Sequence, residues 1–314
     1  MDLITRTDAQ ALIPEDSVNE IIKVAEETSV VMRLGRRVRD MSRKQTRVPV
    51  LETLPEAYFI DADDGRIPTS NQAWANKYFT AEKIGAIIPI SNDVLEDADF
   101  DIFGEVRPAI GAAIARAFDR AVLFGIGAPA SWPDDVLTAA AAASHAVSLA
   151  TVQGNSGDIY DAILGEGGVA SLVEEDGFAV TGYIGAPGTK SKLRALRGQD
   201  GQPVFASSVQ DATRYALDGQ PVAFTANGVM DTSQALLFAG AFDQLLWTVR
   251  RDMTWKLLDQ GTVEDLAGNT VYNLGTQDMV ALRVTMRLAW QVPNPVTAEN
   301  DNAATRYPFA VLTP

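Results

Sequence analysis

The chain carries one histidine and no cysteine, so any chemistry rests on a few other groups. His145 follows the alanine run Ala139 to Ala143 with no Ser and Asp placed beside it as a nucleophilic triad needs, and it reads as a surface histidine. Gly182-Tyr-Ile-Gly-Ala-Pro-Gly-Thr-Lys190-Ser191 has the outline of a phosphate loop after a strand. It fails in detail, because Thr189 parts Gly188 from Lys190 and Pro187 removes an N–H the cradle would use. Gly125-Ile-Gly127 closes a helix instead of opening one, and so offers carbonyls where a phosphate needs amides. Asp61, Asp63 and Asp64 could touch calcium, but the twelve-residue loop ending in Glu is missing. Without cysteine there are no disulfides, thiolate nucleophiles or cysteine metal sites, and one histidine makes no transition-metal cluster. The expectation is a protein with no catalytic residues, no cofactor and no metal.

Composition narrows the partners. Of 314 residues, 46% are apolar and 21% charged, which suits about two folded domains with a sizeable core. Lys and Arg number 26 against 41 Asp and Glu, a net charge of −15 that repels a phosphate backbone and argues against sequence-specific nucleic-acid binding. No apolar run approaches the ~20 residues of a membrane span, and Met1 to Gln10 holds no hydrophobic signal region. The chain reads as a soluble protein of a reducing compartment, away from membranes.

The elements that position these residues follow in order. Ala11 to Gly35 reads as an arm with one helix, Ser17 and Glu20 forming a capping box and Gly35 a stop. A basic stretch follows, Arg33, Arg36, Arg37, Arg39, Arg43, Lys44 and Arg47, either a solvated surface or a strip that pairs with acids of another chain. From Thr46 to Ile90 a two-stranded excursion leads out through Val48 to Leu51 and back through Ala86 to Ile90, with turn residues between. It carries Tyr58, Phe59, Trp74, Tyr78 and Phe79, which a lone hairpin cannot bury. Either it folds onto its own domain or those rings need another surface.

Asp93, Glu96, Asp97, Asp99, Asp101 and Glu105 suit the start of a helix, where acids meet unpaired N–H groups. Steps of three and four from Ile102 to Phe124 predict that helix; from Phe103 it would be roughly 33 Å long, with Pro108 in its first turns or at a kink. Between Thr138 and Glu264 short elements alternate as in an α/β unit: helices at Asp158 to Glu175 and Lys190 to Arg197, and strands at Phe178 to Ile184, Val222 to Phe224, Ala235 to Phe238 and Leu245 to Val249. A turn is expected at Gln199 to Gly201. The clearest strand is Asp278 to Trp290, alternating strictly with one buried face, about 43 Å long and able to pack along the long helix. Phe309 to Leu312 could add a last short strand.

This order of parts resembles the Hong Kong 97-type major capsid proteins of tailed bacteriophages. The local wording is similar too: Lys83-Ile-Gly-Ala-Ile-Ile-Pro-Ile-Ser91, Asp93-Val-Leu-Glu-Asp97, Ile114-Ala-Arg-Ala-Phe-Asp119-Arg-Ala-Val-Leu-Phe-Gly125-Ile-Gly127, and the closing Val284 to Pro295 with Arg287. The resemblance implies an α+β fold with an N-terminal arm at 1–43 and an extended loop, a β-hairpin lying on a neighbouring subunit, at 44–88. It implies a peripheral domain with a spine helix at 89–134 and 265–314, and an α/β axial domain at 135–264. It implies a major capsid protein that self-assembles through hexamers and pentamers into an icosahedral shell around phage double-stranded DNA. The protein would reside in the virion after assembly in the host cytoplasm.

Relatives often begin with a helical scaffolding segment that is later removed. None stands before this arm, which implies a separate scaffolding protein or a segment already absent; portal and decoration proteins are further expected partners. Some relatives join subunits through a loop Lys and an Asn. Lys77 and Asn294 match in type, without an identifiable carboxylate to promote the reaction. The expected intersubunit contacts are Arg33, Arg36, Arg37, Arg39 and Arg43 against Glu96, Asp97 and Asp99, with Tyr58, Phe59, Trp74, Tyr78 and Phe79 covering neighbours. The alternatives are an encapsulin-like nanocompartment shell of the same fold and an α/β enzyme with its site in 135–264.

Overall fold

The computed structural model describes residues 29–59, 69–97, 102–155, 157–196, 216–225, 227–265 and 267–314. The arm enters as helix α1 (Val30–Leu34), started by Ser29, whose Oγ accepts from the Met32 N–H, and stopped at Gly35. Strand β1 (Arg36–Arg37) precedes a hairpin of β2 (Gln45–Thr53) and β3 (Ala73–Thr80), paired antiparallel from Gln45 opposite Thr80 to Thr53 opposite Ala73. One residue, Ala81, separates β3 from β4 (Glu82–Ser91), after which come α2 (Asn92–Asp97) and the long helix α3 (Ile102–Phe124). Gly125 ends α3 at φ +66°, a left-handed turn where a Cβ would stand 2.7 Å from Asp135 Oδ1.

Short elements follow: α4 (Val136–Ala142), β5 (Ala146–Ser148), α5 (Leu149–Gly154), α6 (Ile159–Leu164) and α7 (Val169–Glu175). Then come β6 (Gly182–Gly185), α8 (Pro187–Ala195), β7 (Ala216–Leu217), β8 (Gln220–Phe224) and β9 (Leu237–Gly240). The long β10 (Leu246–Leu258), a small ribbon of β11 (Thr262–Glu264) and β12 (Thr270–Asn273), the long β13 (Met279–Gln291) and β14 (Phe309–Thr313) complete the order.

Two sheets carry the fold. The first has the order β1-β10-β13-β4, with β13 central and antiparallel to both long neighbours. Its alternation places Leu282, Val284, Met286, Leu288 and Trp290 on one face, where Ile110, Ile114, Phe118 and Val122 of α3 meet them. Each such side chain, fully buried, contributes about 1.5–3 kcal/mol, so helix and strand hold each other along much of their length. The second sheet has the order β5-β14-β9-β6-β8-β7, and Ala310 and Leu312 of β14 join α6 and α7 in a separate apolar cluster.

Several expectations change. The strand that returns the excursion is Ala73–Thr80, whereas Ala86 to Ile90 lies in β4 and pairs with β13, so the hairpin is shorter than 44–88. Leu245 to Val249 opens β10, which belongs to the β13 sheet and not to the α/β unit. Phe309 to Leu312 lies inside the α/β sheet, between β5 and β9, despite its place in 265–314. The helix of Asp158 to Glu175 is two helices, because Gly165 and Gly168 interrupt it. His145 is buried: its Nδ1 lies 3.2 Å from the Phe309 carbonyl oxygen and its Nε2 3.3 Å from Asp176 Oδ2. The Ser17 cap, the turn at Gln199 to Gly201, Asp61 to Asp64 and Asp99 lie outside the described residues.

Candidate assembly surface

Helix α1 is fixed to α3 by one carboxylate. Asp119, on the buried stripe of α3 beside Ala115, Phe118 and Val122, accepts from Ser29 Oγ at 2.5 Å and from the N–H groups of Val30 and Val31 at 3.0 and 3.3 Å. It thereby caps α1 from a distance of ninety residues in sequence. Burial pushes its pKa up to about 6, because desolvation of the charge outweighs the three donors that favour it. The sequence reading did not single this residue out. Its signal is an Asp among buried helix positions, three residues after an Arg116 that is itself exposed.

Past this latch, β1 pairs in parallel with Leu246 and Trp247 of β10 and exposes Arg36 and Arg37. Arg33, Arg39 and Arg43 are exposed as well. Arg37 stacks 5.4 Å from the centroid of the Trp247 ring and meets Asp40 at 3.3 Å. The strip is a run of surface cations on one stretch of chain. Of the acids expected to answer it, Glu96 and Asp97 lie in α2, with their side chains outside the described residues, and Asp99 lies wholly outside them.

The hairpin root is built into the body. Lys44 O accepts from the Ala81 N–H at 2.8 Å, and Trp132 Nε1 donates to Thr80 O at 3.0 Å while its ring packs edge-on against Phe118 and Trp290. Antiparallel pairing puts Ala75, Lys77 and Phe79 with Val50, Val48 and Thr46 on one face, and Trp74 and Tyr78 with Leu51 and Arg47 on the other. The first face turns inward near the root. Phe79, 2% exposed, packs with Met41, Ala81, Leu246 and Ala289, so it is a core residue of its own subunit and not a contact for a neighbour.

The second face is uncovered. Trp74 is 60% exposed, Tyr78 47% and Tyr58 53%, and Phe59 stands fully in solvent. The Tyr58 hydroxyl donates to Glu56, a contact that raises its pKa. Four aromatic rings without cover on one thin ribbon give a surface that can bury apolar area on contact. Lys77 is exposed on β3, whereas the Asn294 side chain is engaged within the chain: Nδ2 donates to Arg306 O at 2.7 Å. Among the described residues, no group of three His, Asp or Glu side chains is placed to hold a metal ion, and no helix is long and apolar enough to cross a membrane.

A sequence model of the phage capsid family matches residues 9–297. The chain belongs to the phage capsid family. Family membership is matched by individual relatives. The major capsid protein of Staphylococcus phage 80alpha is 26% identical over 277 residues, which cover 87% of this chain and 79% of that protein. A solved chain of Microbacterium phage Oxtober96 is similar over the full length of both chains, with 33% identity and a TM-score of 0.76. One of Mycobacterium phage Adephagia gives 31% identity and the same TM-score over 100% of this chain and 98% of that one. The α+β fold of this phage capsid protein is therefore the Hong Kong 97-like fold that the order of its parts implied.

Proposed function

We propose that this chain is the major shell subunit of a tailed phage head: identical copies, grouped as hexamers and pentamers, close an icosahedral shell around double-stranded DNA. The observation that carries this reading is the set of uncovered aromatic rings of the hairpin, Trp74 and Tyr78 on one face of the ribbon and Phe59 beyond β2, on a ribbon whose root is locked into the core. A two-stranded ribbon is marginal in water. A rigid root with an apolar free face is suited to lying on a second copy. Each such contact is heterologous and modest, and a shell gains its stability from closure and multiplicity.

Charge supports the same reading. At −15 the chain suits a container whose wall does not hold its nucleic acid tightly. Arg33, Arg36, Arg37, Arg39 and Arg43 form the strip that would meet Glu96, Asp97 and Asp99 of a neighbour. In this reading residues 1–43 are the arm, the hairpin of β2 and β3 the extended loop, the sheet of β13 with α3 the peripheral domain, and the sheet around β14 the axial domain. A separate scaffolding protein, a portal and decoration proteins complete the head, which assembles in the host cytoplasm.

The test is electron microscopy of the purified full chain, with Trp74→Ser/Phe59→Ser and Arg36→Glu/Arg37→Glu beside it. Closed shells from the parent, and folded but unassembled subunits from both variants, are the expected result. A parent that stays monomeric at high concentration refutes the reading. Small shells filled with protein cargo would replace the phage head by a nanocompartment.

A further inference from the structure

The face of the β4-β13-β10 sheet that turns away from α3 holds an open cleft of about 290 Å³, lined by Lys83, Thr254, Arg283, Thr285 and Arg287. Strand register builds it. Thr254, Thr285 and Gly85 pair across the three strands; Arg283 lies two residues to one side on β13, and Arg287, opposite Lys83, two residues to the other. Gly85 leaves β4 without a side chain in the middle row, where a Cβ would stand 2.9 Å from the Val284 carbonyl oxygen and 3.1 Å from Thr285 Cγ2. The middle row is therefore low, and the longer side chains beside it form the walls.

The cleft has donors in excess of acceptors. Arg283 Nε is buried with no hydrogen-bond partner, a state that folded chains rarely leave uncompensated. The Thr254 and Thr285 hydroxyls lie 2.6 Å apart, so one hydroxyl hydrogen is used between them and the other remains to be donated. Lys83 stands exposed at the rim with its ammonium donors. Arg250 and Arg287 already have partners, and the β10 bulge between Arg250 and Thr254 carries Asp252. Among the described residues, by contrast, neither Lys83 nor Arg283 is ion-paired. Two positive charges are thus left for a ligand.

We propose that this cleft binds a dianionic phosphate, free or as a monoester. A guanidinium N–H, a hydroxyl and an ammonium reach the cleft from separate positions on two walls and the floor. A tetrahedral anion presents oxygens in all those directions, whereas a planar carboxylate does not. At neutral pH a phosphate monoester carries about −1.5 to −2 charges, which two cations match. A chain of net charge −15 repels anions at long range, so one held here is held by these contacts. The site lies within a single subunit and does not depend on the shell reading.

The test is calorimetric titration of inorganic phosphate into unassembled subunits of the full chain, at neutral pH and constant ionic strength. One saturable site per subunit is expected, for which methyl phosphate competes and dimethyl phosphate, with its single charge, does not. Tighter binding of methyl phosphate would assign a monoester, and tighter binding of inorganic phosphate the free ion. Lys83→Gln should weaken binding about tenfold. Thr254→Val/Thr285→Val should weaken it by a smaller factor. Both variants should keep the parent's melting temperature in chloride, since Lys83 is exposed and the bonded hydroxyls are replaced together by groups of the same shape. Arg283→Lys retains the charge but removes the Nε donor, and weaker binding by it separates a hydrogen-bonded seat from attraction by charge alone. Absence of saturable binding, equal affinity in the parent and Lys83→Gln, or full affinity in Arg283→Lys overturns the proposal. So does a short DNA duplex that binds in preference to free phosphate and is lost with Lys83→Gln, which would make the cleft a nucleic-acid contact.

Discussion

Replacing Asp119 by Asn isolates what the buried carboxylate does for the arm. In the parent the carboxylate is desolvated, and its pKa of about 6 lies above the ordinary 3.8. The folded state therefore binds a proton before the unfolded chain does. The stability from this group is fully present below pH 3.8 and is lost as pH rises through about 6. Two pH units correspond to about 3 kcal/mol in all. Near pH 4.5 the chain reaches its isoelectric point, so the usable window is pH 8 to pH 5, in which this group alone adds about 1.4 kcal/mol on acidification. Asn cannot titrate. It keeps one acceptor oxygen for Ser29 and Val31 but turns an amide N–H toward the Val30 N–H, leaving a buried donor unmet at a cost of about 1–3 kcal/mol. At pH 8 that cost is offset by removal of the buried charge. The variant is thus expected to match the parent at pH 8 and to fall behind by about 1.4 kcal/mol at pH 5. Urea unfolding of unassembled subunits at both pH values measures this, because every other carboxylate titrates equally in the two proteins. Equal pH slopes for parent and variant would refute the assignment.

Two further substitutions address packing. Phe79→Ala empties a site that is 2% exposed beneath the hairpin root, and should lower subunit stability by about 3–4 kcal/mol in chemical unfolding, unlike Trp74→Ser on the opposite face. Gly240→Ala drives a Cβ into the Phe309 ring and the Pro308 carbonyl where β9 pairs with β14, so a loss of about 1–3 kcal/mol is expected in a thermal melt, with faster hydrogen exchange across Leu237–Gly240.

How much of this was legible in the sequence depends on how local the signal is. The alternation of β13 and the three-and-four spacing of α3 are properties of single segments, and both elements stand where those patterns place them. The hairpin's return was harder. Only Ala81 divides β3 from β4, with no Gly or Pro to mark the change of partner, so the outward and returning strands could not be told apart from the next sheet. β10 was read short because Arg250, Arg251 and Asp252 interrupt its apolar residues; Arg250 to Lys256 gain strand character from β13, 27 to 37 residues away. His145 looked like a surface residue because the groups that bury it, Asp176 and Phe309, lie 31 and 164 residues along the chain. In the assembly surface, the exposure of Trp74 and Tyr78 followed from the thinness of a two-stranded excursion that has no core of its own to bury them. The burial of Phe79 did not, since its cover comes from Met41, Leu246 and Ala289.

The placement of β14 bears on timing. It is an inner strand of its sheet, parallel to β5 and antiparallel to β9, yet it is the last of the six to leave the ribosome. At the usual speed of translation β5 waits roughly 10 to 30 s for it, while about 160 residues are added. Through that interval the sheet has a gap one strand wide, and the apolar side chains that Ala310 and Leu312 will cover stay open to solvent. Nascent chains that still lack β14 are thereby poor building blocks, because two strands of the sheet have no partner between them until it arrives.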